Sequence, residues 1–292
     1  MKKIIFKGCS TALVTPFKKD LSVDYHALEI LIERQLSNGI KALTILGTTS
    51  EYPTLKENEM LDIIRFVLDK VKGRAIIICG TGRNSTEDCL EFSKKAIDFG
   101  VDALLIVTPY YNRTSEAGLI RHFTYLADNL KKPIILYNVP GRTGMTIPLN
   151  VYQTLSKHPN IYGTKEASGN LNLIKDLKNT CSDFAVYSGN DDQIFDILKL
   201  GGEGVISVLS NIIPKETEEI CQNFFNDDKI KSKEIQDKFS NLIEQLFTET
   251  NPIPVKFALN NLGFCENILR MPLVPLSSKY ESGLIKALKE LK

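Results

Sequence analysis

Short, almost continuously apolar runs recur along the chain, each closed by turn residues, at 11–15, 42–46, 75–79, 103–107, 134–137, 161–164, 184–187 and 205–209. They begin roughly 20 to 33 residues apart, the spacing of strand–helix units. Continuous apolarity, in place of strict alternation, is what parallel strands covered on both faces require. Helical patterns lie between the runs. Leu61, Ile64, Leu68 and Val71 form an i, i+3, i+7, i+10 stripe, with Glu57, Glu59, Asp62 and Lys70 on other faces. Thr54-Leu-Lys-Glu57 reads as a capping box and Ser85-Thr-Glu-Asp88 as a second helix start. Gly39, Gly73 and Gly100 stand where helices end in a left-handed residue.

Eight alternations without an evident linker predict an α/β fold, a closed (β/α)8 TIM barrel, with a doubly wound open sheet as the alternative. Beyond about residue 215 further helical segments follow, one over 232–247 and one opened by Pro252 and Pro254. One helix must close the barrel and the rest is surplus. The predicted division is a barrel over 1–224 and a C-terminal helical extension over 225–292.

Charge narrows the function classes. Lys plus Arg number 36 and Asp plus Glu 35, a net charge of +1. That balance removes the electrostatic case for a nucleic-acid or anionic-membrane partner. No run approaches the ~18 apolar residues of a membrane span, and the N-terminal apolar stretch is too short for a signal-peptide core. The six cysteines form no C-x-x-C pair, which predicts reduced thiols and a cytoplasmic location. Three scattered histidines offer no ligand cluster, so no metal is expected.

The polar residues at the strand exits are the candidate chemistry, because the C-terminal strand ends of a barrel converge on one mouth. Lys165 ends the sixth run, where a charge is out of place. Free lysine is ~0.1% or less unprotonated at neutral pH, and burial shifts any such group toward the amine, a nucleophile for carbonyls. Tyr137 ends the neighbouring strand and is suited to shuttle the protons of Schiff-base formation, with hydroxyls of Thr49 and Tyr111 as relay partners. Gly47-Thr48-Thr49 offers backbone N–H groups and two hydroxyls to a small carboxylate. Arg142 can grip a second carboxylate. Singly, each has a plainer reading: Lys165 in a salt bridge with Glu166 or Asp191, Tyr137 at the core rim, Arg142 solvated, the threonines as turn chemistry. Gly80-Thr-Gly82 lacks the third glycine of a dinucleotide loop. The common mouth makes the set more than its members.

Gly47-Thr-Thr-Ser-Glu51, Val107-Thr-Pro-Tyr-Tyr-Asn112, Tyr137-Asn-Val-Pro-Gly-Arg-Thr-Gly144, Lys165-Glu-Ala-Ser-Gly169 and Gly204-Val-Ile-Ser-Val208 resemble the dihydrodipicolinate synthase family, over essentially the whole chain. That family belongs to the pyruvate-dependent class I aldolases, with N-acetylneuraminate lyase. The resemblance implies a lyase of lysine and diaminopimelate biosynthesis, joining pyruvate to L-aspartate 4-semialdehyde to give 4-hydroxy-tetrahydrodipicolinate. It implies a Schiff base on Lys165, acid–base work by Tyr137, and a relay through Thr49 and a neighbouring subunit's Tyr111. Thr48 and Thr49 would hold pyruvate, Arg142 the semialdehyde carboxylate, and the backbone around Gly189 and Ile206 the pocket wall. No cofactor is implied, and a homotetramer of two dimers is. The same-superfamily alternative is a sugar-acid aldolase, for N-acetylneuraminate or a 2-keto-3-deoxy acid.

Two departures stand out. Ser50 replaces a usual glycine, and a left-handed serine there would be strained by ~1 kcal/mol or more. Tyr52, Pro53 and Met60 are atypical where the family's lysine-feedback site is assembled, although Asn84, Asp88 and Tyr110 match polar roles, so feedback is open.

Overall fold

The computed structural model describes residues 4–291, so Met1 to Lys3, with two of the N-terminal lysines, and Lys292 lie outside the described residues. The eight apolar runs become β1 Gly8–Ala12, β2 Ala42–Ile45, β3 Ile76–Gly80, β4 Ala103–Val107, β5 Ile134–Asn138, β6 Ile161–Glu166, β7 Ala185–Ser188 and β8 Gly204–Ser207. All neighbours pair in parallel and β8 returns to β1, a closed barrel and not an open sheet. Closure brings two backbones together at Gly204, whose φ is +147° and where a Cβ would strike the Gly8 carbonyl. Only glycine fits.

The first run sits earlier than its apolar pattern suggested, because Leu13 and Val14 are buried as loop, not as strand. The helix over Glu57–Val71 begins after Lys56, not at Thr54. Thr54 belongs to a short turn, Tyr52–Thr54, and Leu55 is extended, so the capping carboxylate is Glu59, accepting from Lys56 N at 2.9 Å. Ser85 caps Thr86–Phe99 as expected, accepting from Asp88 N at 3.3 Å, and Gly100 closes that helix at φ +103°.

One apolar cluster fills the barrel interior, including Ile78, Leu105, Ile135, Tyr137, Tyr187 and Ile206. Phe6 stacks on Tyr187 inside it, with centroids 4.2 Å apart, and accepts the tyrosine O–H at its carbonyl at 3.0 Å. A larger cluster lies between strands and helices and runs on into Phe239, Leu242, Val255 and Leu284 of the C-terminal helices. The expected single helix over 232–247 is two, Lys229–Lys238 and Ser240–Gln245. The break at Phe239 lets that ring, Leu242 and Ile243 all reach the core. Ile253–Asn261 and Ser278–Lys289 complete the extension.

Candidate active site

The parallel register of β5 and β6 sets the centre of the mouth. Tyr137 pairs with Lys165, and one step further Asn138 pairs with Glu166. Successive side chains alternate faces, so Lys165 and Tyr137 share the inward face while Asn138 and Glu166 share the outward one. Behind the strands Asn138 Nδ2 donates to both Glu166 oxygens, at 3.1 and 3.0 Å, and Tyr152 O–H donates to Oε2 at 2.9 Å. This fixes Glu166 away from the lysine. Lys165 Nζ lies 4.6 Å from the Tyr137 ring centroid, and the residue is 6% exposed.

The salt-bridge reading of Lys165 fails. Among the described residues no ion pair within 4.0 Å includes it. Asp191 instead accepts from Val208 N at 3.0 Å and Leu209 N at 2.8 Å. Burial raises the Asp191 carboxyl, with the Lys165 charge and these hydrogen bonds pulling against it. The amine is left to face a cavity of about 600 Å³, whose wall also carries Thr48, Thr49, Tyr137, Arg142 and Gly189. At Gly189 a Cβ would come within 2.6 Å of Ala167 Cβ and 3.2 Å of Lys165 Cε. The missing side chain makes room for the lysine arm.

Thr48 and Thr49 lie on the turn Thr48–Ser50, with Thr49 buried. Ser50 is not left-handed; Leu46 and Glu51 are, at φ +53° and +55°. Ser50 carries no strain there, and its O–H donates to the Leu13 carbonyl at 2.7 Å. Arg142 is an exposed residue of a one-turn helix, Pro140–Thr143, whose Thr143 is buried, and Arg142 Nη2 donates to the Asn251 carbonyl at 2.9 Å. Tyr111, expected from a neighbouring subunit, and Ile206, expected to offer backbone, do not place side chains on this cavity wall. Tyr111 is 93% exposed, on a left-handed bend at φ +69°. The Ile206 side chain is buried inside the barrel, and Val208 takes the wall position after β8. Beside the mouth a smaller hollow of about 190 Å³ is lined by Tyr52, Pro53 and Tyr110. Next to it the Arg83 guanidinium covers the Tyr52 and Phe92 rings at 4.8 and 4.5 Å, and donates toward Met60 Sδ at 3.3 Å.

The extension contributes residues that local patterns did not single out. Asn251 Nδ2 donates to Thr49 Oγ1 at 3.0 Å. Lys256, wholly buried, pairs with Glu51 at 2.5 Å and donates to the Ile268 carbonyl at 2.8 Å. Burial lowers the Lys256 ammonium, against the pull of Glu51. Arg270 N donates to Glu51 Oε2 at 3.0 Å, and its guanidinium grips Glu59 at 2.6 and 2.8 Å. The turn bearing both threonines is thus tied from behind. A charged residue inside the apolar helix Ile253–Asn261 was the one visible signal.

Residues 5–291 match the model of the Dihydrodipicolinate synthetase family. The chain belongs to that family. A relative from Caldicellulosiruptor saccharolyticus, named 4-hydroxy-tetrahydrodipicolinate synthase, is 48% identical across 97% of this chain and 96% of its own. Among solved structures, the dihydrodipicolinate synthase of Thermotoga maritima superposes with a TM-score of 0.96 at 43% identity, covering 98% of this chain and 99% of that one. The chloride-inhibited enzyme of Acinetobacter baumannii, solved with pyruvate, gives 0.96 at 40% identity, covering 98% of each chain. Members of the Dihydrodipicolinate synthetase family thus share both the barrel and its full length with this chain. No helix among the described residues is long and apolar enough to cross a membrane.

Proposed function

We propose that this chain is a 4-hydroxy-tetrahydrodipicolinate synthase, condensing pyruvate with L-aspartate 4-semialdehyde through a Schiff base on Lys165. The observation that carries the reading is a buried lysine with no ion pair within 4.0 Å among the described residues, in register with Tyr137, on the wall of a cavity that also holds Thr48, Thr49 and Arg142. The amine attacks the pyruvate ketone carbon, and the carbinolamine loses water to leave an iminium. A methyl proton then departs, and the enamine carbon attacks the semialdehyde carbonyl. The amino group of the second substrate next displaces Lys165, closing the ring and freeing the enzyme. Tyr137 carries protons to and from the carbinolamine, through Thr49 and a Tyr111 supplied by a second copy of the chain. Thr48, Thr49 and the backbone at Gly189 hold the pyruvate end, and Arg142 holds the semialdehyde carboxylate.

An exposed Tyr111 cannot serve its own mouth, which supports an assembly of two or more copies, read here as a homotetramer acting in the cytoplasm. The sugar-acid alternative is not favoured, since the relative described above bears the synthase name at 48% identity. Borohydride reduction with pyruvate should fix a pyruvyl adduct on the Lys165 peptide, detected by its mass. An unmodified Lys165 under these conditions would sink the reading. Arg142→Ala should keep the adduct while losing turnover of the semialdehyde.

A further inference from the structure

Asn251 touches two of the groups this reaction needs, yet it lies in the C-terminal extension, 202 residues beyond Thr49. Its side-chain Nδ2 donates to Thr49 Oγ1 at 3.0 Å, and its backbone carbonyl accepts from Arg142 Nη2 at 2.9 Å. It is 6% exposed and forms part of the cavity wall. We propose that Asn251 is a positioning residue that sets the direction of the proton relay at Thr49 and anchors Arg142. The proposal rests on the pyruvate reading above.

The argument follows from donor and acceptor inventories. A carboxamide nitrogen can only donate, whereas a hydroxyl both donates and accepts. With one lone pair of Thr49 Oγ1 occupied from behind, its own hydrogen is free to point into the cavity. Thr49 then gives a proton toward Tyr137 and accepts the next. If the amide were turned over, its oxygen would take the Thr49 hydrogen, and the hydroxyl could no longer donate inward. Asn251 Oδ1 has no hydrogen-bond partner among the described residues despite being buried. Arg142 gains in the same way from the backbone. Tethering one N–H leaves the rest of the planar fork aimed for a carboxylate.

Asn251→Asp is the discriminating variant, because it keeps the shape and replaces the donor with an acceptor. Its thermal midpoint should fall, because a carboxylate is now buried there, while its pyruvate adduct on Lys165 should still form to the parent extent. Its kcat should fall on the order of a hundredfold at pH 8, with both KM values within about threefold. The deficit should narrow as pH falls, since a protonated aspartate regains an O–H donor. Asn251→Ala removes the amide but keeps the carbonyl that holds Arg142, so it should lose kcat while its semialdehyde KM is unchanged. Parent-like kcat in either variant, or a pH-independent deficit in Asn251→Asp, would overturn the proposal. A parent enzyme that pyruvate and borohydride do not modify overturns the functional reading itself, a separable result.

Discussion

At the scale of single residues, what matters at Lys165 is the space around its arm. Gly189 supplies that space, with Lys165 Cε 3.2 Å from where a Cβ would stand. The Glu166 carbonyl, at 3.1 Å from the same point, is backbone and cannot yield as a side chain would. Gly189→Ala should therefore displace the lysine, slowing borohydride trapping of pyruvate and lowering kcat by about a hundredfold, since an ångström of misplacement is that expensive. Unchanged trapping would show that the arm has slack. His122 makes a different prediction, about pH. It is 5% exposed, shares a hydrogen bond with Thr86 Oγ1 at 2.8 Å through Nδ1, and has no partner on Nε2 among the described residues. Burial pushes its pKa from 6.5 down to about 4. Below pH 6.5 the unfolded chain binds a proton that the folded one refuses, so stability is lost as pH falls from 6.5 toward 4. By linkage the loss between pH 7 and pH 5 is about 2 kcal/mol. Urea unfolding of the parent should show it, and His122→Phe should lack that component.

At the scale of elements, the turn Thr48–Ser50 is followed by a buried charge, Glu51, that fixes it to the C-terminal extension. Glu51 and Lys256 have fully buried side chains 2.5 Å apart, and the Lys256 ammonium also sits 4.0 Å above the Phe17 ring. Removing one partner strands the other in the interior. Lys256→Met should destabilise the chain by about 3–5 kcal/mol, and Glu51→Gln by less because the amide still fills the site. Equilibrium unfolding of both variants checks the order, and an equally stable Lys256→Met would show that Glu51 finds another partner. The strands were legible because each, covered on both faces, had to be apolar throughout. Lys165, Tyr137 and Arg142 were legible because each stands beside such a run. Asn251, Lys256 and Arg270 were not, since their partners lie some 200 residues away and no local period records a tertiary contact. Helix starts fell between these cases. Ser85 has its acceptor role three residues ahead, whereas Thr54 lost the cap to Lys56 because the intervening turn was stabilised elsewhere, by Arg270 donating to the Thr54 carbonyl at 2.9 Å.

At the scale of the whole molecule, one chain holds the lysine, the tyrosine of β5, the threonines and the arginine, but turns Tyr111 outward. A bulky aromatic 93% exposed on a left-handed bend is held out by its loop, where Arg113 donates to the Gly144 carbonyl at 3.1 Å and Asn112 to the Asn84 carbonyl at 2.9 Å. Such a side chain has a use if it enters the mouth of another copy. Two-fold symmetry would make the exchange mutual, each copy completing the other. Subunit mixing tests this without any structure of the assembly. Lys165→Ala and Tyr111→Phe should each be nearly inactive alone. In a mixed dimer, the site with an intact Lys165 receives the intact Tyr111 from the Lys165→Ala copy, so one of its two sites is whole. Random reassociation of equal amounts should then restore about a quarter of the parent activity, because half the dimers are mixed and each has one working site. If Tyr111 served the mouth of its own chain, no combination would rebuild a complete set, and mixing would restore nothing.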